Sequence, residues 1–283
     1  MREDSSGKVV IMLHEFSYIE PGSLSELLDF LKEHGKESAV LAGGTDLFVS
    51  MRSALSRPAY IVNLKHVPEL HELTFDEKNG LSVGACVTVN ELIEHEAVAK
   101  HYPVLCIAGD ELATYQLRNR ATVIGNLVTA SPCGDMASPL LCLDASVELT
   151  SADKSRTMPL REFITGVKQT QIRPEEIVSR VTVPTTFADA AGGYEKLKRI
   201  KGHDLGVVAV AMIKTKKTKR VAISSAAPTP VLLTDFAPDA SAEEIQKAAQ
   251  SAISPIDDVR CTKEYRSFMV DVYIKRLNEG IQV

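Results

Sequence analysis

The first segment whose residue types could do chemistry is Leu41-Ala42-Gly43-Gly44-Thr45-Asp46-Leu47, which follows the short apolar run beginning at Ser38. Paired glycines at a strand end let backbone amides approach an anion that a side chain would exclude, and Thr45 and Asp46 can add polar contacts. The same string also makes an ordinary turn, so alone it assigns nothing. It contains neither the Walker spacing of a phosphate-binding loop nor a GxGxxG fingerprint, so a standard Rossmann NAD site lacks its sequence warrant.

A second segment runs from Arg118 through Asn119, Arg120, Ala121, Thr122, Val123, Ile124, Gly125 and Asn126 to Leu127, then from Thr129 through Ser131, Pro132 and Cys133 to Asp135. Small and hydroxylic residues alternate with apolar ones, as a loop lying along a ribityl-diphosphate requires. Read locally, Ser131, Asp135 and Pro139 suit equally well a polar loop that caps a helix starting near Asp135. Residues 122–135 are expected to be a glycine-containing loop.

The 283 residues, 45% of them hydrophobic, suffice for a proper core divided into two or three compact units. A net charge of -5 with both signs interspersed disfavours nucleic acid and anionic membranes. No run approaches the roughly 20 apolar residues of a membrane span, and the N-terminal MREDSSG lacks a signal-peptide core, so a cytoplasmic protein is expected. Five cysteines lie at wide spacings without a CxxC pair, and seven histidines show no HxH or HExxH spacing, so no metal is assigned.

The elements that must position these segments are legible in outline. Ser23 and Glu26 form a capping box for a helix with Leu24, Leu27, Leu28 and Leu31 on one face. The runs Ser38–Ala42 and Tyr60–Leu64 read as strands of a small βαβ-like unit. Asn79-Gly80 predicts a hairpin, Thr88 and Glu91 a second capped helix, and Val104 to Leu112 another helix. Strands are predicted around Val147–Leu149, Ile177–Val183, Val207–Lys214 and Lys219–Ser224, with helices opening at Ser241 and near Thr262. The last helix is expected to present Tyr265, Phe268, Met269, Val272, Tyr273 and Leu277 on one face.

In their order and separation the two glycine segments resemble the FAD-binding, or medium, subunit of xanthine dehydrogenases, carbon monoxide dehydrogenases and 4-hydroxybenzoyl-CoA reductases, where the patterns run AGGTDL and RNxATIGGNL…SPxxD. Tyr194-Glu195-Lys196-Leu197-Lys198-Arg199 with Asp204 looks like that family's YxKxxRRxxxD stretch. Ala227-Pro228-Thr229-Pro230 is similar to its AxxPxP, and Arg260-Cys261-Thr262-Lys263-Glu264-Tyr265-Arg266 to its RxSxxYR. The resemblance spans nearly the whole chain, and five ordered motifs are far more specific than any one.

The resemblance implies an α+β fold: a two-part FAD-binding domain over residues 10–184, with a small parallel unit at 10–65 and an antiparallel sheet with helices at 66–184, then an α+β C-terminal domain at 190–283. It implies that Leu41, Ala42, Gly43, Gly44, Thr45, Asp46 and Leu47 surround the FAD diphosphate. Thr122, Gly125, Asn126, Thr129 and Asp135 would line the diphosphate, ribose and flavin edge, with Val178 and Lys196 beside the flavin ring. Ile124 departs from the family glycine at its position, which disfavours a positive φ and bears on the tightness of the local contact.

As partners the resemblance implies a molybdopterin-binding large subunit, a small subunit with two 2Fe-2S clusters, and NAD or another electron acceptor. No catalytic residue is assigned to this chain. The rival readings are a stand-alone FAD-dependent oxidoreductase, which needs its own acid–base constellation, and an assembly subunit with a decayed FAD site.

Overall fold

The computed structural model describes residues 14–282 and, nearer the N-terminus, the short antiparallel pair Arg2–Glu3 with Val9–Val10. Most of the MREDSSG run, and residues 11–13 of the expected first unit, lie outside the described residues.

Ser23 accepts the amide of Glu26 and starts α1 (Leu24–His34), which buries Leu27, Leu28 and Leu31 as their spacing predicts. The expected box is only half formed, because the Glu26 carboxylate accepts from Gly22 N instead of Ser23 N. The helix connects β1 (Ser17–Ile19) to β2 (Ser38–Leu41), and α2 (Leu47–Arg52) leads on to β3 (Tyr60–Asn63). These strands form a parallel sheet in the order β1-β3-β2, so the glycine segment leaves the end of an edge strand.

The Asn79-Gly80 turn joins β4 (Leu73–Asp76) to β5 (Gly80–Gly84) in the predicted hairpin. Gly80 has φ +86° and lies so close to Val183 that a Cβ would fall 2.0 Å from its carbonyl oxygen. Helices α3 (Val89–Glu94), α4 (Glu96–His101), α5 (Pro103–Asp110), α6 (Tyr115–Arg118), α7 (Val123–Thr129) and α8 (Ala137–Cys142) follow. The chain returns through β6 (Ser146–Thr150), β7 (Ser155–Pro159) and β8 (Ile177–Val183) to complete an antiparallel sheet ordered β4-β5-β8-β6-β7.

A second antiparallel sheet runs β9 (Ala191–Leu197), β10 (Val208–Lys214), β11 (Lys219–Ser224) and β12 (Val231–Phe236), and α9 (Ala242–Ala252) and α10 (Lys263–Gly280) pack on it. Successive residues of β10 face opposite sides. Ala209, Ala211 and Ile213 enter the main core with Leu105 and Leu140, whereas Val208, Val210 and Met212 join a second core with Ile274 and Leu277. The architecture is α+β, with the expected parallel and antiparallel sheets. Among the described residues no helix is long and apolar enough to cross a membrane.

Two expectations need correction. Residues 123–129, read as loop, form α7, because Thr122 caps it through the amide of Gly125 and Val123, Ile124 and Leu127 bury together. The last helix buries a face rotated from the expected one: Arg266, Met269, Val270, Tyr273, Ile274 and Leu277 face inward. Tyr265 and Phe268 are exposed and stacked on each other.

Candidate functional site

The paired glycines turn out to be required for different reasons. Gly44 has φ +77°, a conformation L side chains rarely adopt. A Cβ on Gly43 would lie 2.1 Å from the carbonyl oxygen of Arg120, so at this point the two motifs meet backbone to backbone. The second motif is fixed in turn by pairing with the start of α3: Val89 N donates to Ala121 O at 2.9 Å, and Val123 N to Val87 O at 3.1 Å. A full capping box, with Thr88 Oγ1 accepting from Glu91 N and Glu91 Oε2 from Thr88 N, holds that start in place.

Around this junction the backbone donors are open. The amides of residues 42–47 find no acceptor among the described residues. Unsatisfied amides gathered in a turn form an anion-binding concavity. Leu41 is buried at the strand end, Thr45 is half-buried, and Asp46 is exposed at the N-cap of α2 without a capping bond.

On the second motif, Thr122 Oγ1 accepts from Gly125 N at 3.0 Å, and a Cβ on Gly125 would sit 2.7 Å from that oxygen. Asn126 Oδ1 accepts from Met136 N at 3.2 Å and so ties α7 to the segment carrying Asp135. Thr129 is half-buried just before Ala130, which closes α7 in the left-handed region at φ 45°. Ile124 is helical and buried in the main core, so its bulk is absorbed by packing.

Asp135 is engaged from the C-terminal sheet. Tyr194 and Lys196 project from the same face of β9, two residues apart. Tyr194 OH donates to Asp135 Oδ1 at 2.8 Å; Lys196 Nζ donates to Asp135 Oδ2 at 2.9 Å and to Glu111 O at 3.0 Å. The Lys196 side chain is only 1% exposed. Burial pushes the Asp135 carboxyl above its ordinary value although Lys196 and Tyr194 pull it down, and burial, then Asp135, pushes the Tyr194 phenol well up. Val178 lies buried in β8, which packs against α7, next to a bulge before Arg180.

The structure thus joins residues 41–47 to Thr122, and Asn126 to Asp135 and Lys196; Asp46 points outward and Val178 contributes only apolar surface. Sequence reasoning missed Tyr194, whose signal was its place two residues before Lys196 on a strand. It also missed Lys65 and Arg120, which line a cavity of about 140 Å³ between Ala42 and Thr122. A larger cavity of about 470 Å³, near Leu160 and Pro230, shares no residue with either motif. Among the described residues no group of three or more His, Cys, Asp or Glu could hold a metal.

A parallel sheet ends in an open-amide turn and joins an α+β body with a buried lysine–aspartate pair, an anion-binding arrangement unlike the Rossmann type. The chain belongs to the family described as the FAD-binding domain in molybdopterin dehydrogenase, whose model matches residues 14–186. FAD is therefore its cofactor. The open amides of residues 42–47 fit a group bearing two phosphates. The carbon monoxide dehydrogenase medium chain of Hydrogenophaga pseudoflava is 29% identical over 274 residues, 92% of this chain and 95% of that one. The nicotine 6-hydroxylase medium subunit of Paenarthrobacter nicotinovorans is 29% identical over 272 residues, covering 92% and 94%. A solved carbon monoxide dehydrogenase from H. pseudoflava superposes with a TM-score of 0.88 at 26% identity, covering 95% of this chain and 98% of the matched one.

Proposed function

We propose that this chain is the flavoprotein subunit of a molybdenum hydroxylase complex, taking electrons from an iron–sulfur small subunit that serves a molybdopterin-binding large subunit and passing them to NAD or another acceptor. The observation that carries the reading is the open-amide turn at residues 42–47, locked by Gly43 against the carbonyl of Arg120. The medium-chain designation of the relatives supports membership of a multi-subunit assembly.

Bound FAD supplies chemistry that exchanges electrons singly or in pairs, which suits a station between iron–sulfur clusters and a hydride acceptor. Leu41 to Leu47 would hold the diphosphate through backbone amides; Thr122, Gly125, Asn126 and Thr129 would line its course. Asp135 would act through Lys196: its two oxygens, taken by Tyr194 and Lys196, hold the ammonium, which would compensate charge on the reduced ring. Val178 would offer the ring an apolar contact. In this reading residues 10–184 form the FAD-binding domain and 190–283 the C-terminal domain, and the complex works in the cytoplasm.

The test is reconstitution of the flavin-free chain. It should bind FAD noncovalently, contain flavin without iron after anaerobic preparation, and hydroxylate nothing until joined by its partners. Absence of FAD binding would overturn the flavoprotein reading; near-stoichiometric cluster iron, or substrate turnover by the chain alone, would overturn the relay reading.

A further inference from the structure

The cavity beside Ala42 and Thr122 is lined by two cations, Lys65 and Arg120, whose charged groups have no partner among the described residues. Within the run Arg118-Asn119-Arg120, Arg118 is committed to structure: its guanidinium donates to Asn90 Oδ1, to the carbonyls of Asp110 and Leu112, and to Asp110 Oδ1 at 3.0 Å. Asn119 Oδ1 accepts from Asn90 at 2.7 Å. Arg120, the next residue, makes no side-chain hydrogen bond and no ion pair among the described residues, and neither does the half-buried Lys65 Nζ. Elsewhere on the site the cations are matched: Lys196 by Asp135 and Lys198 by Glu111.

Lys65 and Arg120 also disfavour each other. Burial, and then the charge of Arg120, lowers the pKa of Lys65, so the fold keeps two like charges near one another around open volume. The only carboxylate lining the cavity, Glu91, is engaged by Thr88 N at 2.7 Å and Thr88 Oγ1 at 2.8 Å. Arg120 is exposed at the cavity and Lys65 is half-buried, and an anion entering between them would relieve the repulsion and gain charge-assisted hydrogen bonds. The open amides of residues 42–47 begin at Ala42, on the same wall.

We propose that Lys65 and Arg120 form a phosphoryl-binding pair that takes the diphosphate charge of the cofactor at the end of the site remote from Lys196, and thereby favours flavin dinucleotide over phosphate-free flavin. This rests on the FAD reading above and adds side-chain charge to a site otherwise made of backbone donors.

The experiment titrates FAD and riboflavin into the flavin-free full-length chain, following fluorescence quenching at several salt concentrations, for wild type, Lys65→Met, Arg120→Met and the double variant. Each single variant should raise the FAD Kd about 10-fold, the scale of one hydrogen bond to a charged group. The double variant should show a shallower dependence of Kd on salt, with riboflavin affinity unchanged. Arg120→Lys, which keeps the charge, should recover most of the loss. A wild type that takes no FAD sinks the parent reading; a wild type and double variant with FAD affinities within twofold of each other sink only this assignment. If AMP or inorganic phosphate binds the FAD-loaded wild type and that binding alone disappears in the double variant, the pair serves a separate phosphate ligand and the proposal is overturned.

Discussion

Replacing Lys196 with Met removes one member of a buried ion pair while keeping most of the side chain's volume. The Lys196 and Asp135 side chains are 1% and 9% exposed, and their atoms are 2.9 Å apart. Breaking such a pair by removing one partner costs about 3–5 kcal/mol, because the survivor is left charged and poorly solvated. For a chain of this length that corresponds to roughly 6–10 °C in Tm, at about 2 °C per kcal/mol.

Asp135 then decides the pH dependence of that cost. Burial already raises its pKa, so the folded state holds the proton to higher pH than the unfolded chain does. Its contribution is therefore most favourable below the unfolded value of about 3.9 and declines as pH rises through the folded one. Without Lys196 the folded value rises further and the decline deepens. The deficit of Lys196→Met should be small near pH 4 and full at pH 7, and Lys196→Met with Asp135→Asn should recover most of it. Urea unfolding of the flavin-free chain across that range measures the cycle. A deficit independent of pH, or a double variant as unstable as the single, would refute the buried-pair reasoning.

Two further substitutions probe the glycine segments. Gly43→Ala places a Cβ 2.1 Å from the backbone carbonyl of Arg120, which must retreat by about 1 Å to reach ordinary contact, whereas Gly44→Ala meets only the movable side chains of Phe48 and Leu41 and incurs about 1–2 kcal/mol of backbone strain. FAD titrations should therefore find Gly43→Ala the more damaging, and the reverse order would refute the junction. Ile124→Gly empties a buried core position and should cost about 3–6 kcal/mol in unfolding, while the folded fraction binds FAD within threefold of wild type. A tenfold tighter flavin complex would instead mean that Ile124 faces the cofactor.

Local chemistry was the legible part of this fold. The Asn79-Gly80 hairpin, the Ser23, Thr88, Ser241 and Thr262 caps and the strand-end glycines each depend on a few adjacent residues, and the structure contains each of them. Helix α7 escaped because it has two turns at most, contains Gly125, and draws its stability from burying Val123, Ile124 and Leu127 in a core the local sequence does not reveal. The buried face of α10 was misphased because its exposed aromatics, Tyr265 and Phe268, outweigh by type the buried Arg266, which reaches the carbonyl of Ser225 at 2.6 Å. Lys65 and Arg120 meet only through the meeting of two motifs far apart in sequence, and no spacing rule reports a pair made that way.

The position of Lys196 joins the two halves of the chain. Its strand, β9, neighbours β10, whose alternate residues enter the main core and the second core, so the C-terminal sheet is not a body that merely rests on the first. Glu111, just past α5, extends its carbonyl to Lys196 near the end of β9 and its carboxylate to Lys198, the residue after the strand. Lys196 then reaches across to Asp135, on the segment that Asn126 ties to the second glycine motif. Each ion is tolerable in its buried place only while the other half supplies its partner. Parting β9 from the segment that carries Asp135 would therefore break this pair and withdraw Lys196 from the candidate site.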